Sequence, residues 1–177
     1  MVSKEDIRAL WGNAIIEYPS GVVAELAIPA DSRTFLHDTG LPLESELEVR
    51  FSNEVAVLEE FIGTDNLAAK PDERNSYRIG TDGGTEICLK RGSGEVVSVD
   101  PTGQLPSRFV NSSIASFIVC LGIFAKYRTR IARLADDEID ELIPSTEAEI
   151  RKADDHALNH AENWWSVVVE QMQDGLL

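Results

Sequence analysis

Residues 77–100 read YRIGTDGGTEICLKRGSGEVVSVD, with glycines at 80, 83, 84, 92 and 94 set among apolar runs. Glycines at such density can cradle a phosphate, because backbone without a Cβ approaches the anion closely and offers it N–H donors. Their spacing argues otherwise. A Walker A loop needs GxxxxGK followed by Ser or Thr, and a dinucleotide fingerprint needs GxGxxG opening a helix. No glycine here has the first continuation; Gly92-Ser93-Gly94 lacks a third glycine and leads into the strand-like EVVSVD. The apolar alternation Tyr77/Ile79, Ile87/Leu89, Val97/Val99 predicts a three-stranded meander whose hairpin turns use the glycines.

Other reactive groups are sparse. His156 and His160 stand four apart in a segment read as helical, so they could chelate a metal from one face, with Asp155 and Glu162 close in sequence. No glutamate completes an HExxH motif, and an exposed polar pair explains these histidines equally simply. Ser112 and Ser113 lack a glycine-framed nucleophile elbow and suit a helix cap. Cys88 and Cys120 lie in apolar patterns, where burial raises a thiol's pKa and suppresses reactivity. No enzyme motif survives, no cofactor pattern emerges, and no catalytic residue is assigned. A metal-dependent enzyme using His156 and His160 is kept as the enzymatic alternative.

Charge is the outlying property. Thirty-one acids against sixteen Lys and Arg leave a net −15, which disfavours nucleic acid and anionic membranes and favours a basic partner. The segment 136–155, DDEIDELIPSTEAEIRKADD, holds nine acids against two bases. Asp136, Asp137, Glu138, Asp140 and Glu141 are therefore the candidate partner-binding residues, able to steer a basic protein onto the surface; a solvated connector is the bland reading of the same run.

The elements that must position these groups follow from periodicity. A first helix is expected over 3–16, capped by Ser3, and GVVAELAIP fits either a strand or a short helix. A helix within 29–42 should stop at Gly40 and Pro42. LEVRF at 47–51 and VAVLEEF at 55–61 read as strands, and NLAAKPDERNS at 66–76 as a polar loop. From 112 the period becomes helical, with Asn111 or Ser112 as cap and Ile114, Phe117, Ile118, Leu121, Phe124 and Ala125 on the core face. The oily run 114–125 is far short of the roughly 20 residues of a membrane span and reads as a buried core helix. Pro144 should interrupt a charged connector, and a last helix is expected over about 146–173. One domain spanning 1–177, α+β with an antiparallel sheet, and a cytoplasmic location without a secretory signal are expected.

Read together, YRIGTDGGTEICLKRGSGEVVSVD and FVNSSIASFIVCLGIFAKY resemble the central signature of the SUKH superfamily, in particular its fourth bacterial immunity subgroup. FLHDTGLP at 35–42 is similar to the helix-and-GLP element upstream of it. The resemblance is strongest over 35–130. It implies a curved antiparallel sheet packed by N- and C-terminal helices, and a non-enzymatic immunity protein that binds and neutralises a cognate toxin, often a nuclease or nucleic-acid deaminase. The matching positions Gly80, Asp82, Gly83, Gly94, Asn111 and Phe117 would then serve the fold. A toxin that grips phosphates needs a positive groove, which an acidic inhibitor can cover; the concave sheet face is the other candidate surface. A regulatory adaptor on the same scaffold is the non-toxin alternative.

Overall fold

A computed structural model describes residues 3–62, 71–132 and 136–177. Helix α1, Lys4–Trp11, opens with a capping box in which Ser3 and Asp6 satisfy each other's backbone N–H groups. It ends earlier than its periodicity suggests. Gly12 takes φ 74°, and Ile15–Ile16 become strand β1, antiparallel to β2, Leu41–Pro42. Between them lie the short helix α2, Ser20–Ala24, and helix α3, Ala30–Asp38, which stops before Gly40 as expected.

The two strands expected at 47–51 and 55–61 are one. Strand β3 runs Arg50–Val57, and Leu58–Ile62 turn into helix α4. The expected polar loop at 66–76 contains helix α5, Pro71–Arg74; its residues 66–70 lie outside the described residues. The meander follows as read: β4, Tyr77–Thr81, β5, Glu86–Leu89, and β6, Val96–Val99, then β7, Arg108–Asn111. Among the described residues these form a five-stranded antiparallel sheet in the order β3-β4-β5-β6-β7. Register shifts interrupt the β3–β4, β4–β5 and β6–β7 pairings; such bulges bend and twist a sheet.

Two glycines show what the meander needs. Gly94 has φ 72°, a conformation that penalises a side chain, and Pro29 Cδ sits 2.7 Å from where its Cβ would be. Gly80 is not a turn residue. It lies inside β4 against β3, where a Cβ would run into the Arg50 carbonyl oxygen.

Helix α6, Ile114–Ile131, is capped by Ser113 through a box with Ser116, one residue beyond the caps expected. Its Ile114, Phe117, Ile118, Leu121 and Phe124 join the buried core with Phe51, Ile79, Ile87, Leu89 and Val96 of the sheet. Phe117 sits edge-to-face between Phe51 and Trp164. On the opposite side of the sheet lies a second buried cluster, Leu58, Cys88, Val97 and Val99.

The C-terminal third departs most from its periodicity. Helix α7, Asp136–Ala153, runs through Pro144. An interior proline removes one backbone hydrogen bond, yet Leu142 and Ile143 before it and Thr146 and Ile150 after it are all buried. Tertiary packing of that stripe overrides the breaker. The single helix expected over 146–173 is broken instead: α7 ends at Ala153, Asp155–Leu158 form one 3₁₀ turn, and helix α8 spans Trp164–Gln173. No described helix is long and apolar enough to cross a membrane.

Candidate interaction surface

The break after Ala153 exists because Asp154 has to leave the helix. Its backbone turns extended (φ −158°, ψ 102°), and its side chain enters the N-terminus of α6. There Oδ2 accepts the Ser112 backbone N–H at 2.6 Å, the Asn111 amide at 2.9 Å and the Ser116 hydroxyl at 3.1 Å, while Oδ1 accepts the Ser112 hydroxyl at 2.9 Å. A carboxylate there also complements the positive end of the α6 dipole. Burial pushes the Asp154 carboxyl up, but the four hydrogen bonds outweigh it and hold it below the usual carboxylate range. Asn111 passes the connection on, accepting the Trp165 indole N–H at 2.8 Å. Strand β7, both ends of the α6–α7 pair and α8 are thereby locked together.

This network fixes the acidic helix. α7 turns Leu142, Ile143, Thr146 and Ile150 inward and leaves Glu141, Ser145, Ala148 and Glu149 exposed. The five acids expected to bind a partner thus belong to a helix rather than a connector. Of their side chains, that of Glu141 is described and exposed; those of Asp136, Asp137, Glu138 and Asp140 lie outside the described residues. Farther along the same helix, Glu147 pairs with Arg151 at 3.0 Å.

A second acidic edge has no counterpart in the sequence reading. Glu44, Glu46 and Glu48 are all exposed on the turn between β2 and β3. Glu44 pairs with Arg50 at 3.1 Å, and Glu46 accepts the Trp11 indole N–H at 3.0 Å. The signal was the E-x-E-x-E alternation in ESELE, which merges into strand periodicity when read one residue at a time. Glu46, Glu48 and Asp82 share a cleft of about 550 Å³ with Arg108, Arg128 and the C-terminal Leu177, so its charge is mixed.

Groups capable of chemistry are committed elsewhere. His156 and His160 do not share a helix face: His156 lies in the 3₁₀ turn, with its Nδ1 2.9 Å from Asp155, and His160 follows in the connection to α8. Among the described residues the ligand-type cluster is Asp154, Asp155 and His156, without His160. Its one buried member, Asp154, is already saturated with donors. Ser112 and Ser113 are spent on Asp154 and on capping α6. Burial pushes the Cys88 thiol far above its ordinary value, and that of Cys120 up to about 12, so neither is a thiolate nucleophile.

The residues carried by the resemblance hold the fold. Asp82 Oδ1 accepts the Thr85 backbone and hydroxyl at 2.8 and 2.9 Å, closing the β4–β5 turn, and its Oδ2 accepts the Trp164 indole N–H at 2.9 Å. Asp100, unremarked in the sequence, organises the loop after β6 by accepting the Thr102, Gln104 and Leu105 N–H groups.

Compared with known proteins, residues 2–171 match the family model described as SUKH-4 immunity protein. No curated protein and no solved structure matches the chain.

Proposed function

This chain belongs to the SUKH-4 immunity protein family, and from that premise we propose that it neutralises a toxin that acts on nucleic acid, a nuclease or deaminase, by covering its positive groove with the acidic side of α7. The family is one of immunity proteins, which are not enzymes and whose partner is a cognate toxin of a polymorphic toxin system. The observation that carries the acidic reading is a helix whose outward side holds Glu141 and Glu149, in a chain of net charge −15. Enzymes that grip phosphates concentrate Lys and Arg in their grooves. An acidic inhibitor is steered there at long range and retained by close contacts once seated. Location in the cytoplasm, where such a toxin would otherwise act, and one domain over the whole chain complete the proposal; the match over 2–171 supports the latter.

Co-expression with the toxin encoded in the neighbouring reading frame tests it. Survival of cells that die with the toxin alone, together with co-purification of the two chains, is the expected result. Death despite soluble expression of both would contradict it.

A further inference from the structure

Between Ile114 and Ala125 helix α6 contains no charged residue. A helix apolar on all sides is normally enclosed on all sides. Here one side is not: Ala115, Val119 and Ile123 are each only partly covered. Four-residue steps keep them on one side of the helix, over about 12 Å at about 1.5 Å per residue. A groove of about 380 Å³ separates the start of this stripe from α3, lined by Phe35, Asp31 and Asp38. A second groove, of about 320 Å³, separates its other end from α1, lined by Trp11, Asp6 and Lys126. Gly122 shapes the second one, because Leu10 Cδ1 sits 3.0 Å from where a Cβ would be.

We propose that this stripe and its two grooves are the docking site on which the toxin is held, through apolar side chains seated beside Val119 and basic side chains facing the aspartates. The proposal rests on the immunity reading above and assigns it a contact surface. The charged lining of the grooves decides the occupant: three carboxylates, Asp6, Asp31 and Asp38, against one cation, Lys126. An anionic membrane is repelled by that rim. A second copy of the chain carries the same rim and the same net charge of −15, which opposes self-association. A basic protein satisfies both the apolar centre and the acidic border, the arrangement in which water is excluded from a few anchoring contacts. The labour then divides. Distributed acids, α7 among them, set the rate of encounter, and the α6 stripe sets the lifetime of the complex.

The test uses the full chain and the toxin encoded beside it, with association and dissociation rates measured separately. Val119→Arg should raise the dissociation rate about 10-fold or more, and the gentler Val119→Ser about 3-fold, with association little changed. Val119→Ser guards against a folding defect, since both variants should keep the wild-type circular dichroism and urea midpoint. Unchanged dissociation in a folded variant overturns the docking site and leaves the immunity reading standing. Failure of the wild-type chain to bind that toxin overturns the immunity reading itself. Self-association of the wild type that Val119→Arg abolishes would show that a second copy covers the stripe, and would also overturn the proposal.

Discussion

Asp154 accepts the backbone N–H of Ser112 at 2.6 Å, joining residues 42 apart in sequence through a buried carboxylate. Replacing it with asparagine puts a donor where Ser112 needs an acceptor and removes a charge-assisted set of bonds. Asp154→Asn should cost about 2–4 kcal/mol, because a buried donor left unpaired is more expensive than the bond was worth. A urea midpoint lowered at unchanged slope would check this.

The same carboxylate gives stability a pH dependence of known sign. Its folded-state pKa is depressed, so its contribution is complete above the unfolded value of about 3.9 and is lost as pH falls through the folded value. Wild-type stability should therefore decline below about pH 4. Asp6, Glu17 and Asp100 are depressed as well and add to the decline. Urea midpoints between neutral and acid pH should fall less steeply in Asp154→Asn than in wild type.

Adjacent tryptophans should respond differently to the same change. Trp165 is fully buried and donates to the buried Asn111, whereas Trp164 donates to Asp82, which water can reach. Trp165→Phe should cost about 1–3 kcal/mol, by stranding the Asn111 oxygen, and Trp164→Phe about 0.5–1.5 kcal/mol. Equal costs in chemical denaturation would mean that burial of the Asn111 oxygen does not raise the cost of stranding it.

Two meander glycines separate on steric grounds alone. Gly80→Ala drives a methyl into the Arg50 carbonyl and should cost more than about 3 kcal/mol or prevent folding, through loss of β3–β4 pairing. Gly84 has ordinary φ and open space around its Cβ position. Gly84→Ala should stay within about 0.5 kcal/mol of wild type. Thermal denaturation of the two variants side by side is sufficient.

Where periodicity and turn chemistry agreed, the structure was legible in advance. The meander follows from alternation closed by Thr81-Asp-Gly-Gly and Arg91-Gly-Ser-Gly, and the core face of α6 from its 3.6-residue repeat. Reading failed where a distant partner decided the local outcome. Ala157, Ala161 and Trp164 continue a helical stripe, but Asp154 leaves the helix to reach Ser112, and no local signal marks that appointment. Pro144 looked like a boundary because its cost is local, while the burial of Leu142 and Ile150 that offsets it is tertiary. At the candidate surface the net charge was legible. The acidic turn at Glu44–Glu48 and the half-covered stripe on α6 were not, since exposure depends on what packs beside each residue.

The central claim is that acids on α7 guide a basic toxin onto this chain, and the association rate as a function of ionic strength tests it most directly. Replacing Asp136, Asp137, Glu138, Asp140 and Glu141 with their amides should slow association about 10-fold or more at low salt and flatten its salt dependence. Amides at Glu44, Glu46 and Glu48 serve as the comparison and should slow it less. Association by the five-fold variant at the wild-type rate, with the wild-type salt dependence, would contradict the claim.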